Sequence, residues 1–218
     1  MNIIFDFDGT LFDTRTVDVV AFNRARVELG LPAITENEIL AAIGKPLSAI
    51  AADYFPNNAQ LAQQFFNLIL QYELEEIPPC AQLFPQVAEL LHGLKNAAHN
   101  LAICSNGSKE YIEAILKKFD IDDLFDIVWY AHEGVSKTEA LKILIKDLPN
   151  GKTIYVGDRA EDREAAQSHH LCFIGAAYGY GGSEMDDAAL LAQNANEISV
   201  LIEGIEVVAY AHLLANMS

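Results

Sequence analysis

Cysteine is scarce in this 218-residue chain, which has only Cys80, Cys104 and Cys172, with no C-x-x-C pair and no His-rich tract. That excludes a disulfide framework and a zinc site of ordinary spacing, and leaves three reduced thiols as the reading. Basic residues are also few, 14 Lys and Arg against 31 Asp and Glu, for a formal charge of −17. So acidic a chain repels polyanions, which argues against nucleic acid or an anionic membrane as a large-surface partner, although a small anion in a locally positive pocket stays compatible. There is no 18-residue apolar run free of charge. The nearest stretch, Ile198 to Met217, carries Glu203, Glu206 and His212 and reads as a helix packed on the core. The N-terminus lacks a basic stretch and meets Asp6 within six residues, so it does not read as a signal peptide, and the expected location is the cytoplasm. What is present is an ordinary globular mix, 51% hydrophobic and 21% charged, sufficient for one domain or one domain carrying an insertion.

Short apolar runs bounded by turn residues recur along the chain: Asn2 to Phe7, Leu101 to Cys104, Ile127 to Tyr130, Thr153 to Val156 and Leu171 to Ile174. Helical periodicity fills the intervals at Pro85 to Ala98, Ser108 to Phe119, Ser136 to Asp147 and Ala160 to Ser168. This alternation predicts an α/β fold with a doubly wound parallel sheet. One stretch breaks it. Val17 to Leu29, Glu36 to Ile43, Leu47 to Tyr54 and Ala59 to Glu76 all read as helices, so an all-helical insertion follows the first strand and Pro78-Pro79 marks the return to the core.

Ligands of an open parallel sheet bind at the carboxyl ends of its strands, so the residues just after each run are the ones to inspect. They are Asp6-Phe7-Asp8-Gly9-Thr10-Leu11, Ser105-Asn106-Gly107, Lys137 at the start of the helix after the third strand, and Gly157-Asp158-Arg159-Ala160-Glu161-Asp162. Asp6 and Asp8, one pleat apart, are expected to project to the same side, with Asp158 and Asp162 beside them. Four adjacent carboxylates cannot all stay ionised without a cation or large pKa shifts. Oxygen-only ligands with room for waters and a phosphate oxygen favour Mg²⁺ over Ca²⁺. With Lys137 and Ser105 nearby, such a site suits a phosphoryl group.

In order and spacing these segments resemble the four motifs of the haloacid dehalogenase-like hydrolase superfamily, over essentially Ile3 to Gly182. The resemblance implies a Rossmann-like core of residues 1–13 and 79–218 with a helical C1-type cap over 14–78. It implies Asp6 as the nucleophile that forms an aspartyl-phosphate, and Asp8 as the acid that protonates the leaving oxygen and then the base that activates water. Mg²⁺ would be held by the Asp6 carboxylate, the Asp8 backbone carbonyl and Asp158, with Asp162 a ligand or an acceptor for metal-bound water. Ser105 and the Asn106 N–H would bind phosphoryl oxygens, and Lys137 would neutralise Asp6 and the phosphoryl group. Lys45 on the cap and Arg15 at its hinge are the candidates for recognising the leaving group.

The dehalogenase branch does not carry a second aspartate two residues after the nucleophile, so Asp8 favours phosphoryl transfer. Ile174 to Gly181 resembles the loop after the last core strand of phosphoglycolate phosphatases, although those enzymes usually have Thr-Asn-Lys where this chain has Ser105-Asn106-Gly107. The expected partner is a small phosphorylated metabolite. A β-phosphoglucomutase-type phosphomutase would share all four motifs, and a non-catalytic phosphate-binding protein on the same fold is the other alternative.

Overall fold

The computed structural model describes residues 1–215. Six strands, β1 (Asn2–Phe5), β2 (Asn100–Cys104), β3 (Ile127–Trp129), β4 (Thr153–Gly157), β5 (Cys172–Ala176) and β6 (Leu191–Ala192), form one sheet in the order β3-β2-β1-β4-β5-β6. Every pairing is parallel. The expected parallel α/β sheet is therefore present, with one strand more than the periodicity shows, because the two residues of β6 are too few to carry a pattern.

Side chains along a strand alternate between faces, and here both faces are apolar. Ile3, Phe5, Leu101, Ile103, Ile154 and Val156 pack against α5 (Val87–Asn96), α6 (Lys109–Lys118) and α9 (Ala195–Ala215). Ile4, Ala102, Cys104 and Tyr155 pack against α7 (Lys137–Asp147) and α8 (Ala160–Ser168). The crossovers change face beside β1, where the strand order reverses. That reversal opens a crevice at the carboxyl ends of β1 and β4. Within the stretch from Ile198, Ile198 and Ile202 are buried in the core cluster of the first face, and residues 216–218 lie outside the described ones. No helix among the described residues is long and apolar enough to cross a membrane.

Between β1 and α5 the chain forms α1 (Arg15–Glu28), α2 (Glu36–Leu40), α3 (Leu47–Tyr54) and α4 (Ala59–Cys80). These helices bury their own apolar cluster, in which Phe65 meets Phe22 edge-on and Phe55 at a tilt and Ile39 is fully enclosed. The helix expected to stop at Glu76 instead continues through Pro78 and Pro79. Pro78 and Pro79 have no N–H to give the carbonyls one turn back, and the carbonyls at the end of the helix are capped by a distant cation. Lys118 Nζ of α6 donates to the carbonyls of Ile77 at 2.6 Å, Pro78 at 3.1 Å and Ala81 at 3.0 Å.

Candidate active site

The crevice is shaped first by the turn that ends β1. The Phe7 side chain is buried in the core, and its carbonyl accepts from the backbone N–H groups of Thr10, Leu11 and Phe12 at 3.3, 2.9 and 3.0 Å, folding the chain back on itself. Gly9 sits at φ +81°, and a Cβ there would strike the Asp158 carboxylate. A Cβ on Gly179, in the loop after β5, would strike Asp158 and the Gly9 carbonyl together. This close approach clamps Asp158, which accepts from Thr10 Oγ1 at 3.2 Å and from the Tyr180 N–H at 2.7 Å.

Asp6 follows β1 directly and is 1% exposed. Lys137 Nζ, 2% exposed, donates to Asp6 Oδ1 at 2.7 Å and to Asp162 Oδ1 at 2.5 Å. An ammonium in the first turn of a helix opposes the helix dipole, so Lys137 is held at the start of α7 by its carboxylate partners and by the Ser136–Glu139 capping box beside it. Asp162 stands in the first turn of α8, where the dipole favours a carboxylate. It accepts from the Arg159 N–H at 2.9 Å and from the Tyr155 hydroxyl at 3.1 Å. Both its oxygens are therefore engaged by the protein.

One carboxylate oxygen from each of Asp6, Asp158 and Asp162 lies within 4.8 Å of the others. Burial first, then the like charges of Asp162 and Asp158, push the Asp6 carboxyl well above the usual range in spite of Lys137. Burial and Asp162 push Asp158 up to about 7. Burial works against the Lys137 ammonium, but Asp162 and Asp6 outweigh it and keep lysine charged. Fully ionised, three carboxylates and one ammonium leave two uncompensated negative charges. Asp6 Oδ2 is buried with no hydrogen-bond partner among the described residues. An all-oxygen donor set, an orphaned carboxylate oxygen and a charge deficit of two fit a hard divalent cation.

Asp8 does not join this group, contrary to the expected convergence of four carboxylates. The turn at Phe7 ends the pleat, and the Asp8 carboxylate is drawn to Thr14 Oγ1 at 2.8 Å and the Tyr111 hydroxyl at 2.9 Å. Burial raises its pKa, with Thr14, Tyr111 and Lys137 opposing. Asp18 of α1 and the half-buried Glu73 of α4 approach from the helical segment. Asp18 is 7% exposed and its Oδ1 has no partner among the described residues. Burial, then Glu73 and Asp8, push the Asp18 carboxyl well above the usual range, and burial pushes Glu73 up to about 8.

A carboxyl whose pKa is raised in the fold keeps its proton where the unfolded chain has already released it. Its contribution to stability therefore falls as pH rises above the unfolded value of about 4. Asp18→Asn, which fixes the neutral form, is expected to raise the thermal midpoint at about pH 8 and leave it near the parent's at about pH 4. Equal shifts at both values would mean that Asp18 is not the titrating group.

Ser105, 3% exposed, directly follows β2 and accepts from the Gly107 N–H at 3.0 Å. Asn106 lies beside it, and its side chain donates to the Gly44 carbonyl of the helical segment at 2.8 Å. Next to this junction an open cleft of about 570 Å³ is lined by Arg15, Lys45, Arg159 and Tyr180, among others. Arg15 forks onto Asp13 at 2.8 and 2.9 Å, Lys45 reaches Asp53 at 3.4 Å, and Arg159 reaches Glu184 at 3.6 Å. Sequence reasoning missed Arg159, although it sits inside a motif, and also Thr14, Tyr111 and Tyr155, which carry no local signal. Cys104 is buried at the end of β2, and burial pushes its thiol up to about 12, which keeps it inert.

A family model described as haloacid dehalogenase-like hydrolase matches residues 3–176. The phosphoglycolate phosphatase of Synechococcus elongatus is 32% identical over 183 residues, covering 82% of this chain and 84% of its own. That of Yersinia pestis is 28% identical over 193 residues, covering 84% and 83%. A crystal structure described as a predicted phosphoglycolate phosphatase from Haemophilus somnus superposes with a TM-score of 0.81 at 25% identity, covering 92% of this chain and 97% of that one.

Proposed function

This chain belongs to the haloacid dehalogenase-like hydrolase family, and from that premise we propose that it is a magnesium-dependent phosphatase that hydrolyses small phosphate monoesters through an aspartyl-phosphate on Asp6. The observation that carries the reading is the orphaned, buried Oδ2 of Asp6, at the carboxyl end of β1, beside a charge deficit suited to a divalent cation. Asp6, Asp158 and the Asp8 backbone carbonyl would hold the ion, which when bound neutralises charge on the carboxylates and on the phosphoryl oxygens. Asp162 is assigned to holding Lys137, since its oxygens already serve Lys137, Tyr155 and the Arg159 N–H.

The chain's own groups divide the chemistry between them. Asp6 attacks phosphorus. Lys137, pinned between Asp6 and Asp162, offers positive charge to the transferring group. Ser105 and the Asn106 N–H bind phosphoryl oxygens. Asp8, with its pKa raised by burial, gives a proton to the leaving oxygen and then takes one from the hydrolytic water. Residues 14–78 act as a cap that shields the aspartyl-phosphate from stray water, and the bond from Asn106 to the Gly44 carbonyl latches it to the core.

Three cations around one cleft are conspicuous in a chain with 14 in all. They suit a leaving group that carries its own negative charge, such as the carboxylate of 2-phosphoglycolate, the substrate in the relatives' names. Lys45→Ala and Arg159→Ala are each expected to raise KM for 2-phosphoglycolate by roughly tenfold, the loss of about one charge-assisted hydrogen bond. KM for p-nitrophenyl phosphate should stay unchanged. The function itself is tested by phosphate release from a panel of phosphoglycolate, sugar phosphates, nucleoside monophosphates and pyrophosphate with Mg²⁺, and again after chelation. Turnover that survives chelation, or isomerised sugar phosphate in place of free phosphate, contradicts it.

A further inference from the structure

Both protein donors to the Asp8 carboxylate act on the same oxygen. Thr14 Oγ1 and the Tyr111 hydroxyl meet at Oδ1, from 2.8 and 2.9 Å. Tyr111 reaches it from α6, 103 residues along the chain, and is 4% exposed. Its ring is held edge-on to Phe7 and Phe12, with centroids 6.4 and 6.1 Å away. Oδ2 has no hydrogen-bond partner among the described residues, so it is the oxygen of Asp8 left free to meet a ligand.

We propose that Tyr111 is a positioning residue for the acid–base carboxyl: with Thr14 it pins Oδ1 of Asp8 and so leaves Oδ2 as the oxygen that exchanges a proton with the leaving group. The inference rests on the reading of Asp8 as the general acid. As an Asp6 oxygen bonds to phosphorus, the bond from phosphorus to the ester oxygen breaks and its electron pair stays on that oxygen. The Oδ2 proton of Asp8 moves onto it, and the alcohol departs. Asp8 is left as a carboxylate, still held by Thr14 and Tyr111, and later takes a proton from the attacking water.

A general acid matters most when the leaving oxygen is basic, so the test is a series from p-nitrophenyl phosphate through phenyl phosphate to an alkyl phosphate. It is read as kcat/KM, which covers the steps up to departure of the alcohol. Tyr111→Phe keeps the ring between Phe7 and Phe12 and removes only the hydroxyl. It is expected to lose roughly tenfold on the alkyl ester and less than about twofold on the p-nitrophenyl ester, a weaker form of the trend in Asp8→Asn. Thr14→Val, which removes the other donor, should show the same dependence. If Asp8→Asn shows the steep trend while Tyr111→Phe loses activity evenly or not at all, the positioning role is overturned and the reading of Asp8 stands. If Asp8→Asn itself loses the same fraction on every ester, the acid assignment falls, and the role of Tyr111 with it.

Discussion

Asp6→Asn is expected to lower kcat by on the order of 10⁴-fold or more, as removal of a nucleophile does elsewhere, while leaving the fold at least as stable. An amide is a poor nucleophile toward phosphorus and cannot form the acyl phosphate. Stability follows a different balance. Burial and the like charges of Asp162 and Asp158 push the Asp6 carboxyl well above the usual range, so its ionised form costs the fold stability. Replacing it removes a like charge from a cluster that has too many, and Lys137 keeps its 2.5 Å bond to Asp162. Phosphate release from p-nitrophenyl phosphate reads the first effect, and the thermal midpoint of the chelated protein reads the second. The rise in midpoint on adding Mg²⁺ should shrink in the variant, because one ion ligand is gone. Full activity in Asp6→Asn would contradict the mechanism, and a collapse in stability would contradict the charge balance.

Lys137→Met is expected to have the largest effect on folding. Its ammonium is 2% exposed, and two buried carboxylates depend on it. Removing one partner of such a pair strands the other, at a cost of about 3–5 kcal/mol. For a chain of this size that corresponds to a midpoint lower by on the order of 6–20 °C. The carboxylates left behind have pKa values raised further, so their contribution falls as pH rises through the ordinary carboxylate range. The deficit should accordingly be wide at about pH 7.5 and narrow at about pH 5, where the stranded groups protonate. Activity should fall as well, since no other cation among the described residues contacts Asp6. Denaturant unfolding at the two pH values checks this, and a midpoint equal to the parent's at both would remove Lys137 from the charge balance.

Parts of this arrangement were legible in the sequence because strand ends have a local signature. Asp6, Ser105 and Asp158 each stand where an apolar run gives way to turn residues, and the structure has them at the carboxyl ends of β1, β2 and β4. Asp162 reads equally well as an ordinary acidic residue of a first helical turn. It caps α8 through the Arg159 N–H and also holds Lys137, so the two readings coexist. What could not be read depends on contacts between residues far apart in sequence. Tyr111 helps to hold Asp8 apart from the other carboxylates, and Lys118 caps the last carbonyls of α4 at Ile77 and Pro78. Tyr155 looks like any aromatic in a buried strand until its hydroxyl is seen on Asp162. Periodicity reports which face of an element is apolar, but not which polar group waits on the facing element.

The central claim is that the phosphoryl group passes through Asp6. Asp8→Asn lacks the base for the second step and should accumulate the intermediate. The most direct measurement is therefore an acid quench of that variant during turnover of radiolabelled p-nitrophenyl phosphate, whose good leaving group needs no protonation, followed by mapping of the labelled peptide. The account predicts label on the peptide carrying Asp6, sensitive to hydroxylamine as an acyl phosphate is, and absent when Asp6→Asn is added. Release of p-nitrophenol with no phosphate on the protein, or label on a peptide without Asp6, would contradict it.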